Sequence, residues 1–400
     1  MHRPRGHLGG VVSPAGPVAG HGVGQVGGHG VGHGFDAASL RSGPPSSLSS
    51  APQPRPLENL AVNLAGMALP NPVMTASGCA ANGRELHRFF DVGELGAFVT
   101  KTVMGLPRAG RGTPRMAETP SGMLNSIGLQ GPGIDAFVDH DLPWLRSVGA
   151  RVLVSVAGET PEEFGLVTRV LRNSAAFDTV VGVEINISCP NVANRGLVFA
   201  CDPDSTAAVV AEVRKELPPQ LPAFAKLSPD VTDIVAIARA AVDAGASGLT
   251  AINTTLGVAI DALLLRPVLA GITGGMSGPA LLPVAVRAVW QLRAAMRADR
   301  LPAVPIIGVG GVRSGADALQ LLAAGADAVQ VGTAIFNDPG APVRVREELA
   351  LLLGTHGFSR IADVVGIAHD RTPPTPGPAP KPKPKPKTKP EPTHQSGSAS

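Results

Sequence analysis

The chain has 400 residues, 44% of them hydrophobic, and a formal net charge of +3. That much apolar material supports a sizeable core, and so small a charge, much of it in one tail, argues against a nucleic-acid-binding core. The three cysteines, Cys79, Cys189 and Cys201, make neither an even disulfide set nor a metal-ligand spacing, so no metal site is expected and the setting reads as reducing and cytoplasmic.

Residues 1–56 are rich in Gly, His, Ser and Pro and are expected to be disordered, with His21, His29 and His33 solvated. Arg3 and Arg5 are not followed by the apolar stretch of a secretory signal. No apolar run approaches the ~20 residues that cross a bilayer, so no membrane partner is expected. From Leu57 an alternation of strands and helices begins, and residues 57–370 form the expected globular domain. Its strands are predicted at Pro72–Thr75, Ala97–Thr100, Val152–Val156, Val181–Ile187, Ala223–Leu227, Gly248–Ile252, Pro305–Val309 and Ala328–Val331. Most are short runs of Val, Ile and Ala, as in parallel strands buried on both faces. Helical periodicity falls between them at Pro161–Arg172, Thr206–Glu216, Ile234–Ala244, Ala280–Ala298, Gly315–Ala324 and Ala341–Leu353. Thr160 before Pro161 reads as a helix cap. Residues 371–400 alternate Pro and Lys and read as a solvated tail.

The pattern is that of an α/β chain folded as a (β/α)8 TIM barrel, with a doubly wound sheet as the runner-up. Two connections, Thr102–Pro132 and Thr254–Pro279, are long, and in a barrel both lie over the face where the strands end. Catalytic groups of such barrels stand at those ends. Here the strand ends carry Ser77, Lys101 and Thr102, Ser155, then Asn186, Cys189 and Asn191, then Lys226, then Asn253 and Thr254, then Gly310 and Gly311, and finally Gly332 and Thr333. Lys101 and Lys226 in one mouth would repel each other unless something anionic lies between them. The glycine-rich turns after the last two predicted strands suit a phosphate group, because glycine lets the backbone approach closely. GGMSGPA, 274–280, reads as a third such turn.

The stretch Glu184–Asn191, EINISCPN, sets a thiol between carboxamides just past a strand. It resembles the active-site loop of the class 1 dihydroorotate dehydrogenases. So do, in order, MTASG (74–78), TKT (100–102), NSIGLQGPG (125–133), AKLSP (225–229), INTT (252–255), TGGMSGPA (273–280), GVGGV (308–312) and VGTA (331–334), with class 1B spacing throughout. The resemblance implies an FMN enzyme oxidising dihydroorotate to orotate, with Cys189 as the base. Lys101, Asn125, Asn186, Asn191, Asn253 and Thr254, with backbone of Ser126, Ile127, Gly128 and Leu129, would hold the substrate. Ser77, Lys101, Thr102, Asn186, Lys226, Ile252, Gly278, Gly310, Gly311, Gly332 and Thr333 would hold FMN. It also implies a homodimer, and a second subunit carrying FAD and an iron–sulfur cluster that passes electrons to NAD in a heterotetramer; class 1A members use fumarate. The chain departs from the family at Ser155, where many class 1B members carry Asn, and in both tails. Cys79 and Cys201 read as structural. Two other readings share parts of the pattern: a dihydropyrimidine dehydrogenase-type reductase, whose substrate lacks the carboxylate, and a non-redox phosphate-binding barrel.

Overall fold

A computed structural model describes residues 56–57, 59–188 and 199–371. The expectations for the two tails, and those for Cys189 and Asn191, fall outside the described residues.

Eight parallel strands form one sheet: β1 Val73–Thr75, β2 Phe98–Val99, β3 Val152–Val156, β4 Val180–Ile185, β5 Ala223–Leu227, β6 Gly248–Ala251, β7 Ile306–Val309 and β8 Ala328–Val331. Each neighbours the next in sequence, and β8 pairs with β1. The remaining seam, between β1 and β2, is closed by a parallel bridge between Met74 and Ala97 and by the Gly96 N–H donating to Val73 O at 2.9 Å. The barrel reading holds and the doubly wound sheet does not. β2 is shorter than expected because side chains continue its ladder. The Val99 N–H donates to Thr75 Oγ1 at 2.9 Å, and the Ser155 N–H donates to Thr100 Oγ1 at 3.1 Å.

The helices begin at the caps their sequences offer. Thr160 Oγ1 accepts the Glu163 N–H at 3.3 Å, as expected. The next helix, Pro203–Glu216, starts earlier than the expected Thr206, because Asp202 accepts from Ser205 N at 2.8 Å and Pro203 suits the first turn. Among the described residues, no helix is long and apolar enough to cross a membrane.

Two features lie outside the predicted elements. A hairpin, Val62–Leu64 with Met67–Leu69, turns through Ala65 and Gly66, both at positive φ (52° and 93°), as a two-residue hairpin turn requires. Its Leu64, Met67 and Leu69 are buried with Met74, Leu153, Phe224, Ile307 and Ala328, the inward side chains of the barrel, and so floor its interior. Above the strand ends, the two long connections meet in a single four-stranded antiparallel sheet. Its order is Thr255–Gly257, Gly274–Ser277, Gly122–Asn125, Met116–Thr119. Much of the stretch expected to be a third glycine-rich turn is thus a strand, and Gly274–Ser277 pairs on both sides.

Truncating the floor tests its contribution. Leu64→Ala removes a side chain with no exposure and is expected to cost about 3 kcal/mol of unfolding free energy in urea titration; a loss below about 1 kcal/mol would mean that the hairpin does not plug the barrel.

Candidate active site

Polar side chains from distant strand ends form one connected set, with Thr102 at its centre. Thr102 Oγ1 lies 3.1 Å from Ser77 Oγ and 3.0 Å from Ser155 Oγ, and accepts from Asn186 Nδ2 at 3.0 Å. A hydroxyl has one proton and two lone pairs, so these contacts saturate it. Asn186 Oδ1 in turn accepts from Ser188 Oγ and Asn253 Nδ2, each at 3.4 Å. Asn253 Nδ2 also donates to Ser188 Oγ at 2.9 Å, and Asn253 Oδ1 accepts the Thr254 N–H at 2.8 Å. Ser77, Thr102, Asn186, Asn253 and Thr254, expected at one mouth from their strand-end positions, are therefore brought together. Ser155, the departure from the family, is fully buried, and its hydroxyl serves Thr102.

Beneath this set lies a buried ion pair. Residues alternate between the two faces of a strand, so Lys226 shares the interior face with Phe224. Its ammonium donates to Glu184 Oε1 at 3.1 Å, and Gln330 Nε2 donates to Glu184 Oε2 at 2.8 Å. The Glu184 side chain is 0% exposed and that of Lys226 6%. The two lysines were expected to need something anionic between them; for Lys226 the chain itself supplies an anion, Glu184.

Lys101 is half-buried at the same mouth, its N–H bonded to Ala81 O at 2.9 Å. Both cations act on Cys79. Burial pushes the Cys79 thiol up to about 11, against the downward pull of Lys226 and then Lys101. That thiol lies 3.4 Å from where a Cβ on Gly332 would stand, so Cys79 faces the site although nothing in its sequence context marked it.

The expected phosphate turns are adjacent, since β7 and β8 are paired. Gly311 has φ 76°, and a Cβ there would meet the Leu282 nitrogen at 2.6 Å; the turn needs glycine both for its conformation and to sit against the helix Leu282–Arg297. Gly310 precedes it, Ile252 is buried beside it with its N–H on Val309 O at 3.0 Å, and Thr333 Oγ1 donates to Ser277 Oγ at 2.9 Å, one residue before Gly278.

The lid sheet brings the last group of candidates. Asn125 ends its strand opposite Gly275 and donates to Gly275 O at 3.3 Å. Ser126 is buried, with its Oγ lacking a hydrogen-bond partner among the described residues. The Ile127 carbonyl accepts from Arg111 N at 3.0 Å, and Gly128 and Leu129 turn the chain at positive φ. Leu129 then lines a small pocket with Asn82, Lys101 and Thr102. Cys189 and Asn191 lie outside the described residues. Their flanks are held at the mouth: Ser188 by Asn253, and Ala200, whose N–H donates to Ile187 O at 3.1 Å.

Sequence reasoning missed Glu184 and Gln330. The available signal was parity: a charged residue at an inward position of a strand buried on both faces must have an inward partner.

A parallel (β/α)8 barrel with cations, carboxamides and glycine turns at its strand ends is an enzyme scaffold for a ligand rich in carbonyl, amide and anionic groups. Residues 59–353 match the model of the dihydroorotate dehydrogenase family. Over 308 residues the chain is 48% identical to the "dihydroorotate dehydrogenase B (NAD(+)), catalytic subunit" of Geotalea daltonii, covering 77% of this chain and 97% of that protein. Over the same length it is 48% identical to the protein of that name from Pelobacter propionicus and 46% to that from Geobacter sulfurreducens, covering 77% of this chain in each case and 98% and 97% of those proteins. The chain belongs to the dihydroorotate dehydrogenase family and is an oxidoreductase of that family.

Two measurements probe the site. Thr102→Val keeps the shape but leaves Ser77, Ser155 and Asn186 without their shared partner; unfolding in urea is expected to show a loss of about 1–3 kcal/mol, while Thr102→Ser retains most of the stability. A thiol titrating near 11 is less than about 0.1% thiolate at pH 7.5. Iodoacetamide should therefore label Cys79 far more slowly than the exposed Cys201 in peptide mapping, and faster as the pH rises; equal rates at pH 7.5 would contradict the raised value.

Proposed function

We propose that this protein oxidises dihydroorotate to orotate in pyrimidine biosynthesis with FMN bound across the barrel mouth, and that Cys189 is the general base. The observation that supports this most is the continuous run of neutral donors and acceptors from Ser77 through Thr102, Asn186 and Asn253 to Thr254, with Lys101 and Lys226 beside it.

The residues present fit a flavin mononucleotide. Carboxamides and hydroxyls match the amide and carbonyl edge of the ring. Lys226 matches an edge that gains negative charge. Gly310, Gly311, Gly332 and Thr333, with Gly278 nearby, offer a phosphate a backbone without side-chain obstruction. Gln330 and Thr250, inside the barrel, each keep a buried oxygen without a partner among the described residues. Ser77, Lys101, Thr102, Asn186, Lys226, Ile252 and these glycines would hold the group. When bound, it supplies a hydride acceptor.

The chain's own groups then do the rest. Lys101 meets the carboxylate of the substrate, while Asn125, Asn186, Asn191, Asn253 and Thr254 meet its ring amides, with backbone of Ser126–Leu129 closing over it. Cys189 removes the proton from the carbon adjacent to the one that loses hydride. A free thiol titrates near 8.5, so a fraction is thiolate near neutrality. The electrons pass on to NAD through a partner subunit. The relatives' names, with "catalytic subunit" and "NAD(+)", support that step. This chain's three cysteines are too few for the four thiolates of an iron–sulfur cluster. We place the FAD and the cluster on that partner, with a homodimer of this chain at the centre of a cytoplasmic heterotetramer.

The purified protein should be yellow, with FMN absorbance that dihydroorotate bleaches without oxygen and dihydrouracil does not. Cys189→Ala should slow the bleaching by about 10²–10⁴-fold. A base acts unprotonated, so the wild-type rate should rise with pH through the thiol titration near 8.5. A colourless protein that takes up no FMN, or a rate that stays flat across that range with chemistry limiting, would refute the assignment.

A further inference from the structure

Glu184 is a fully buried carboxylate that the reaction above leaves without a task. It stands on β4, and its two oxygens are held from β5 by Lys226 at 3.1 Å and from β8 by Gln330 at 2.8 Å. In the ring, β4 and β8 are four strands apart in either direction. The contact between Glu184 and Gln330 therefore crosses the barrel. The three side chains make a polar layer directly above the apolar one of Leu153, Phe224, Ile307 and Ala328. That layer seals the carboxylate from water below, and the mouth with Thr102 and Asn186 lies above. A charge so placed is tolerated only with its counter-charge and hydrogen bonds in position. Gln330 fixes the carboxylate, and the carboxylate fixes the ammonium.

We infer that Glu184 is a positioning residue: anchored across the barrel by Gln330, it holds the Lys226 ammonium at one place under the flavin site and offsets part of its positive field there. This rests on the reading of Lys226 as the cation that faces the flavin. The reduction balance of the bound group is then set by the pair and not by Lys226 alone. With Glu184 present, the anionic reduced form is favoured less than a bare lysine would favour it. Electrons can accordingly leave for the next acceptor.

Glu184→Gln tests this in the full-length protein. The variant keeps shape and an acceptor for Lys226, and the Gln330 amide, whose Oε1 has no partner among the described residues, can turn to accept from it. One unit charge several ångströms away at an effective dielectric of about 20 changes a redox ratio by about tenfold or more. At a fixed dye potential the ratio of reduced to oxidised FMN should thus rise at least tenfold over wild type, and reoxidation should slow. Gln330→Met keeps both charges but frees the carboxylate, and should shift the ratio the same way by about threefold. Leu153→Ala, in the layer below, is the control: it should lower stability and leave the ratio alone. A ratio within twofold of wild type in Glu184→Gln, or an equal shift in Leu153→Ala, overturns the inference. Failure of wild type to bind FMN at all would instead overturn the functional reading on which it rests.

Discussion

In this barrel the charged inward side chains of β4 and β5 are accommodated by inward side chains of other strands, because ring closure and the apolar floor bury them. Alternation along each strand sets the layers. Phe224 and Lys226 point the same way two residues apart, as do Ala328 and Gln330, and Leu153 and Ser155. The lower members meet the hairpin residues Leu64, Met67 and Leu69 in an apolar floor. The upper members can be polar only because they meet one another: Lys226 with Glu184, Glu184 with Gln330, Ser155 with Thr102.

The mouth inherits its order from that layer. Thr102 gathers hydroxyls and an amide from beyond β1, from within β3 and from beyond β4, and Asn186 passes the connection to Asn253 after β6. Such a set is nearly neutral and rigid, since most members are tied at both ends, so it can recognise a heterocycle by the pattern of its donors and acceptors. Lys101 and Lys226 bring positive charge to it, and Lys226 is paired with Glu184. Rigidity below contrasts with assembly above, where the lid sheet joins segments about 150 residues apart, as the Asn125 contact with Gly275 shows.

The chain by itself determined the barrel and most of its strand-end residues. A parallel strand buried on both faces is a continuous apolar run, and the polar residue that breaks the run marks the strand end; Lys101, Asn186 and Asn253 were legible for that reason. The caps at Thr160 and the glycines at 310 and 311 were legible because backbone geometry admits few residues there. Only the tertiary structure decided which groups satisfy one another. Glu184 reads as one polar residue in an alternating strand until β8 delivers Gln330 from across the ring. Ser155 reads as a missing amide until Thr102 is seen to use its hydroxyl. Cys79 reads as a structural thiol near β1, and only the fold brings the fields of Lys226 and Lys101 to act on it. The connections 102–132 and 254–279 read as loops because neither carries its pairing partner within itself. In each case the deciding contact joins residues far apart in sequence, and local propensity and spacing carry no information about a partner that only ring closure brings within hydrogen-bonding distance.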